Sequence, residues 1–154
     1  MKRNVWMAFI LAAFLFAGCG KTDTECVPAT VASEKAAMVA YCTANNITYT
    51  EHASGILYEV MSPGLGAQPA LTNTVSTVYT GKLLNNTQFD ASANPVSFLL
   101  SGVIKGWQIG IPLIKKGGRI KLVIPSSLAY GCNGSGSIPP NSPLYFEVTL
   151  TDVR

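Results

Sequence analysis

The sequence has 154 residues, of which 48% are apolar and 12% are charged, so the charged share is roughly half the usual one. This composition excludes an intrinsically disordered chain, which needs low hydrophobicity and high charge, and it also excludes a collagen or a coiled coil. The net charge of +3 falls to +1 without Lys2 and Arg3, which belong to the leader described next. No electrostatic footprint for nucleic acid remains, and the length suits one domain.

The first residues have the pattern of a leader peptide. Lys2 and Arg3 precede the apolar run Val5–Phe16, which is short for a bilayer span and suits a signal peptide. The run ends in Phe16-Ala17-Gly18-Cys19, which resembles a bacterial lipobox with Phe in place of the usual Leu. We predict a lipoprotein signal peptide over residues 1–18 and lipidation of Cys19, which would anchor the protein to a membrane without crossing it. The alternative is an ordinary cleavage site with an incidental cysteine.

The other cysteines are Cys26, Cys42 and Cys132, and three thiols cannot all pair. A compartment outside the cytoplasmic membrane favours disulfides. Proximity in sequence favours a bond between Cys26 and Cys42, although sequence alone does not fix connectivity. No Cys/His spacing is typical of zinc, and the single histidine, His52, is expected to be a solvated linker residue. We therefore expect no metal centre.

The residues that follow the leader predict a tether and then a short helix. Lys21–Thr30 is polar and contains a proline, which is typical of a tether. Within Val31–Asn45, Met38, Tyr41 and Cys42 recur at helical spacing and form a short apolar face. The sequence leaves open whether this helix is a spacer, a dimerisation element or a cap packed on the domain that follows.

From Gly55 onward, the apolar residues alternate as they do in β-strands. Asn85-Asn86 is typical of a tight hairpin turn, because asparagine tolerates positive φ. Gly117-Gly118 indicates a second turn, directly before a strand that Pro125 ends. Strands are predicted over residues 56–60, 75–81, 96–100, 119–124 and 144–151.

One helix interrupts these strands, over Val103–Leu113 with Ser101 as its cap. Its residues Ile104, Trp107 and Ile111 lie on one apolar stripe. Antiparallel strands with a single amphipathic helix predict an α+β fold, in which the helix covers one face of a curved antiparallel sheet. The predicted parts of the chain are the leader (1–18), a lipidated tether with a short helix (19–54) and one β-rich domain (55–154).

An aromatic-rich set with one acid stands out in the β-rich domain. The sequence does not indicate nucleophilic catalysis, because no Ser or Cys motif accompanies the histidine. It does not indicate a phosphate-binding loop either, because Gly134-Ser135-Gly136 lacks the strand-to-helix context of such a loop. The alternative to a binding site is that these aromatic residues only pack in the hydrophobic core. The set consists of Tyr79, Phe89, Asp90, Trp107, Tyr130 and Phe146.

Six short strings through this domain resemble, in their order, the FKBP-type peptidyl-prolyl cis–trans isomerases, including bacterial secreted forms. The resemblance covers Gly55–Arg154. It implies a curved antiparallel sheet wrapped around one short helix, in agreement with the apolar periods. The strings are Val78-Tyr79-Thr80-Gly81, Phe89-Asp90-Ala91-Ser92, Val103-Ile104-Lys105-Gly106-Trp107, Leu128-Ala129-Tyr130-Gly131, Ile138-Pro139-Pro140 and Leu144-Tyr145-Phe146-Glu147-Val148.

The resemblance implies an apolar pocket that binds a proline residue and needs no cofactor. The backbone N–H of Ile104 and the hydroxyl of Tyr130 would hold substrate carbonyls, and Asp90 would lie beside the twisting imide. Val96 stands where the family often has an aromatic residue, so a shallower pocket is expected. The implied substrate-binding residues are Tyr79, Phe89, Val103, Trp107, Ile138 and Phe146, with Trp107 as the floor.

Two functions from different classes fit these residues. The first is an isomerase tethered to a membrane of the bacterial cell envelope, facing the periplasm or the exterior and acting on prolines in unfolded or exported polypeptides. The second is a binding module or chaperone that keeps the pocket without turnover. The presence of Asp90, Tyr130 and Trp107 favours the isomerase. Neither function involves nucleic acid, and the sequence does not predict an oligomeric state.

Overall fold

The computed structural model describes residues 26–154, so the predicted leader and the predicted lipidation site Cys19 lie outside the described residues. The strands are β1 (Thr50–Glu51), β2 (Leu57–Ser62), β3 (Thr74–Leu83), β4 (Gln88–Leu99), β5 (Arg119–Ile124) and β6 (Leu144–Val153). The helices are α1 (Val31–Ala44) and α2 (Lys105–Gly110). The strands form one antiparallel sheet in the order β1-β2-β5-β6-β3-β4. This confirms the predicted fold, a curved sheet around a short helix with another short helix before it.

The sheet carries an apolar layer on each face because side chains alternate along its strands. Leu122 of β5 pairs with Phe146 of β6, and both belong to the core around α2. The next pair, Val123 with Tyr145, points the other way and belongs to a second core under α1. Neither helix of residues 26–154 is long and apolar enough to cross a membrane.

The helix α2 is shorter than the predicted Val103–Leu113 and has no side-chain cap. Its N-cap residue is Ile104, while Ser101 lies in a 3₁₀ turn before it, and the Ser101 carbonyl accepts a hydrogen bond from Gln108 Nε2 at 3.1 Å. Beyond Gly110 the chain continues as a 3₁₀ turn that contains Pro112, because proline has no N–H to donate within an α-helix. The predicted cap at Ser101 is therefore wrong.

The helix α1 covers the face of the sheet opposite α2. Met38, Tyr41 and Cys42, the predicted apolar face, are all buried, and they pack with residues of β2, β5 and β6. The ring of Tyr41 lies 5.3 Å from that of Tyr145, and its hydroxyl donates to Asn86 Oδ1 at 3.1 Å. Of the three roles that the sequence leaves open, these contacts are those of a packed cap.

The disulfide joins Cys26 to Cys132, with 5.4 Å between the Cα atoms, and Cys42 is a buried free thiol. The predicted bond between Cys26 and Cys42 is therefore wrong. The reason is the helix itself, because Cys42 lies about 17 Å along α1 from its first residue at 1.5 Å per residue. A disulfide needs Cα atoms within roughly 7 Å, so forming α1 separates the two cysteines that are near in sequence.

The segment directly before α1 is hydrogen-bonded to the loop before β6, which is distant in sequence. Asn141 Oδ1 accepts a hydrogen bond of 2.9 Å from the N–H of Ala29, and Asn141 Nδ2 donates one of 3.0 Å to the carbonyl of Val27. Together with the disulfide, these bonds attach residues 26–30 to the domain. This part of the predicted tether is not a free tether.

A two-residue strand that the apolar pattern does not show follows α1. β1 pairs with β2, so Glu51 lies opposite Leu57. His52 comes next, is half-buried, and accepts the N–H of Ser54 at Nδ1 over 3.1 Å. His52 therefore closes a local turn instead of being the solvated linker residue expected from the sequence.

Candidate active site

A cavity of about 330 Å³ lies where α2 meets the sheet. Eight of the nine pocket residues expected from the resemblance line it: Tyr79, Phe89, Asp90, Val103, Ile104, Trp107, Tyr130 and Phe146. They come from β3, β4, the loop before α2, α2 itself, the loop after β5, and β6. The ninth, Ile138, does not line the cavity but is buried in the same core as Trp107. The structure thus brings residues that are widely spaced in sequence to one place.

Trp107 is the centre of an aromatic cluster. Its ring makes edge-to-face contacts with Tyr79 and Phe146 at centroid distances of 5.3 Å and with Phe98 at 5.8 Å. Phe89 in turn packs edge-on against Phe146 at 5.5 Å. Such contacts add to the energy of burial and favour one arrangement of the rings. The cavity is therefore bounded by apolar aromatic surfaces that pack against one another.

Among residues 26–154, Asp90 is the one charged residue that lines the cavity. Its Oδ2 accepts a hydrogen bond of 2.7 Å from the hydroxyl of Tyr79. Burial, and secondly this hydrogen bond to a carboxylate, raise the pKa of Tyr79 to about 12. At neutral pH Tyr79 therefore remains a donor and holds the carboxylate of Asp90 at the edge of the cavity.

Tyr130 lies at the rim, with 38% of its surface exposed. Two effects raise the pKa of its phenol: first the burial of the remaining surface of the side chain, and second the negative charge of Asp90. The hydroxyl is therefore protonated at neutral pH and available as a hydrogen-bond donor. Tyr130 thus combines a place in the cavity lining with a surface that is open to solvent.

Ile104 offers a second donor, from the backbone. As the N-cap of α2, it accepts hydrogen bonds from the N–H groups of Trp107 and Gln108 at its carbonyl, over 3.0 and 3.2 Å. Its own N–H precedes the helical ladder and has no acceptor within the helix. Among the described residues, no backbone carbonyl outside the regular elements accepts from it.

Three residues of this site were missed by sequence reasoning. Phe98 and Gly102 line the cavity, and Gln108 donates to the carbonyls of Ser101 and Val103, which fastens the loop before α2. Phe98 supplies an aromatic wall two residues beyond Val96, which is 37% exposed and lies outside the lining. The alternation of residues 96–100 was the signal, because it places Phe98 on the same face as Leu100, which is buried in the core that Phe98 packs against.

Residues 66–151 match the family of FKBP-type peptidyl-prolyl cis-trans isomerases. The chain belongs to this family. It is 49% identical over 105 residues to the FKBP-type peptidyl-prolyl cis-trans isomerase FkpA of Escherichia coli K12, an alignment that covers 66% of this chain and 39% of FkpA. FkpA of Aeromonas hydrophila is 45% identical over 104 residues, covering 66% of this chain and 39% of that protein.

A solved structure agrees with the fold of this FKBP-type chain. The crystal structure of a peptidyl-prolyl cis-trans isomerase from Pseudomonas syringae pv. tomato superposes with a TM-score of 0.69 at 34% identity, covering 82% of this chain and 98% of that one. The chain spans about two fifths of the length of the FkpA proteins that it matches. All residues that line the cavity fall within the matched family region, whereas α1, β1 and β2 precede it.

Proposed function

We propose that this chain catalyses the cis–trans isomerisation of X–Pro bonds in polypeptides, using the cavity around Trp107. The observation that carries the proposal is the combination of an aromatic cavity with a single edge carboxylate, Asp90, and two available donors. Membership of the family supports it further. The described lining residues include no Ser, Cys or His that could act as a nucleophile or its base, and the reaction needs none.

The chemistry follows from the electronic structure of the imide. Rotation has a barrier of ~18–20 kcal/mol because resonance gives the C–N bond partial double-bond character. The planar imide is more dipolar than the twisted one, so transfer from water into an apolar cavity favours the twist. The Ile104 N–H and the Tyr130 hydroxyl would hold substrate carbonyls in the geometry of the twisted form, which is differential binding of the transition state. Asp90 would lie beside the rotating bond.

The first test is NMR exchange spectroscopy on an X-Pro peptide with the purified full-length chain, because this method needs no coupling protease. We expect exchange above the buffer rate, and we expect Asp90→Ala to reduce the catalysed rate by about tenfold, equivalent to about 1.4 kcal/mol of transition-state stabilisation. Asp152→Ala is the matched control, since Asp152 pairs with Lys116 and Arg154 away from the cavity.

The same experiment separates the isomerase from the second candidate function, a non-catalytic proline-binding module or chaperone. Binding without turnover would appear as peptide line broadening that saturates while the cis–trans exchange stays at the buffer rate. That outcome, seen for a folded protein with several residues before proline, would rule out the enzyme. Equal rates for the wild type and Asp90→Ala would remove Asp90 from the mechanism.

We further propose that the chain is a lipoprotein of the bacterial cell envelope and acts on exported or unfolded polypeptides. Support comes from the leader pattern ending at Cys19 and from the Cys26–Cys132 disulfide, since disulfides persist in oxidising compartments. Mass spectrometry of the membrane fraction is expected to find Cys19 as a lipid-modified N-terminus. A mature N-terminus at another residue, or an unmodified Cys19, would contradict the lipid anchor and leave the isomerase proposal intact.

A further inference from the structure

The loop after β5 carries Tyr130 and is attached on both sides of this residue to the segment around the start of α1. Four residues before Tyr130, Ser126 bonds Glu34. Two residues after it, Cys132 bonds Cys26. Both partners lie outside the matched region of residues 66–151, so the isomerase match does not include them.

Glu34 is the one charged residue among the buried residues of the described chain, at 7% exposure. Its Oε2 accepts the Ser126 N–H at 2.8 Å, and its Oε1 accepts the Ser126 hydroxyl at 2.5 Å. A buried carboxylate is costly unless hydrogen bonds compensate for its lost hydration. Here both oxygens are satisfied by one residue, and the first turn of α1 adds favourable electrostatics. The two elements are therefore held in one relative position.

Ser126 passes this constraint on to Tyr130. It begins a 3₁₀ turn over Ser126–Leu128, whose first N–H groups have no acceptor within the turn, and Glu34 supplies the acceptor. The carbonyl of Ser126 then accepts the N–H of Ala129 at 2.9 Å. Ala129 directly precedes Tyr130, so the backbone that carries the rim tyrosine is linked to Glu34 through one residue.

We infer that Glu34 is a positioning residue for the isomerase site: by holding Ser126, it sets the place of the Tyr130 hydroxyl at the rim of the cavity. This inference rests on the proposed function of Tyr130 in substrate binding. It assigns to α1 a role in the reaction as well as in stability. Glu34 does not line the cavity, and it acts through its hydrogen bonds to Ser126 in the loop.

The test is a double-mutant cycle on the full-length chain, read as kcat/KM for an X-Pro peptide. We expect Glu34→Ala to lower kcat/KM by about tenfold, equivalent to about 1.4 kcal/mol, under conditions where urea unfolding shows the protein to be folded. Glu34→Gln keeps an acceptor for the Ser126 N–H and is expected to retain most of the activity. In a Tyr130→Phe background, Glu34→Ala is expected to have little further effect, because the group that it positions is gone.

The matched control is Lys35→Ala, in the same turn of α1. Lys35 is exposed and pairs with Glu51 at 2.7 Å, and such a pair contributes little, so kcat/KM is expected to stay at the wild-type value. A loss for Glu34→Ala that is equal in the wild-type and Tyr130→Phe backgrounds would overturn the inference, since a purely structural role does not depend on the Tyr130 hydroxyl. An unchanged rate for Glu34→Ala would overturn it as well.

Hydrogen exchange provides a readout that does not depend on catalysis. We expect the amide of Ala129 to exchange faster in Glu34→Ala than in Lys35→Ala, because the turn that protects it loses its partner in α1. If the wild type proves inactive, the proposed function fails, and the Ala129 exchange rate still decides whether Glu34 holds the loop. Equal exchange in the two variants would show that it does not.

Discussion

Replacing Cys26 and Cys132 together by serine is expected to lower the free energy of unfolding by about 3–5 kcal/mol. The bond joins residues that are 106 apart in sequence, so its loss frees a long loop in the unfolded chain and increases the entropy of that state. Since small domains have only about 5–15 kcal/mol of stability, the variant would lose a large share. Urea unfolding measures the difference, and the m value is expected to rise because the unfolded chain becomes more expanded.

The control is the reductant dithiothreitol, applied to both proteins. It is expected to lower the stability of the wild type to that of the double variant and to leave the variant unchanged. In the folded protein, burial, and secondly the charge of Glu59, raise the pKa of Cys42 to about 11, so this residue stays a thiol and does not attack the disulfide before unfolding. A wild type that is insensitive to reductant while the variant is destabilised would assign the loss to the substitutions themselves.

Replacing Trp107 by alanine is expected to cost about 3–5 kcal/mol of stability, the range for removing a large aromatic side chain from a core. Trp107 is 4% exposed and contacts three other rings, so its removal leaves a void that they cannot fill without losing their edge-to-face geometry. We also expect the catalysed X-Pro exchange to fall to the buffer rate. Urea unfolding and NMR exchange measure the two effects.

A second substitution at this position separates folding from catalysis. Trp107→Leu keeps much of the apolar volume and is expected to remain folded, yet it removes the flat surface against which a proline ring would pack, so turnover is expected to be lost. Leu65→Ala is the exposed control, since Leu65 is 99% exposed and such changes are usually within about 0.5 kcal/mol. Full activity in a folded Trp107→Leu protein would contradict the assigned role of the indole.

The local pattern of apolar and polar residues predicted most of the fold, because most of its strands and helices have one buried face. The strand predicted over residues 119–124 is β5 as observed, since its alternation is uninterrupted and a glycine pair and a proline bound it. The turn predicted at Asn85-Asn86 is also present, and Asn86 adopts a φ of 67°, a conformation that asparagine tolerates. β1 was missed, because a strand of two exposed residues has no apolar period.

The parts that could not be predicted depend on long-range packing. Cys26 meets Cys132 only after α1, β5 and the loop after it have taken their places, so proximity in sequence was misleading. Glu34 belongs to the same class: a glutamate in the first turn of a helix is ordinary in sequence, and only the fold shows that it is buried against Ser126. The lining of the cavity was predicted more fully than the disulfide. The reason is that the family resemblance implied which distant residues meet at the site, whereas the apolar period of one strand or helix carries no such information.

The place of β6 in the sheet has a consequence for how the protein is made. β6 is synthesised after the other five strands, yet in the described part of the chain it alone connects the unit β1-β2-β5 to the unit β3-β4. A chain that emerges from a ribosome or a translocation channel therefore holds two separate sheet fragments until residues 144–153 arrive. During that time the apolar stripe of α2 has no completed sheet to cover it. We expect assembly in a single late step, with early fragments depending on holding factors to avoid aggregation.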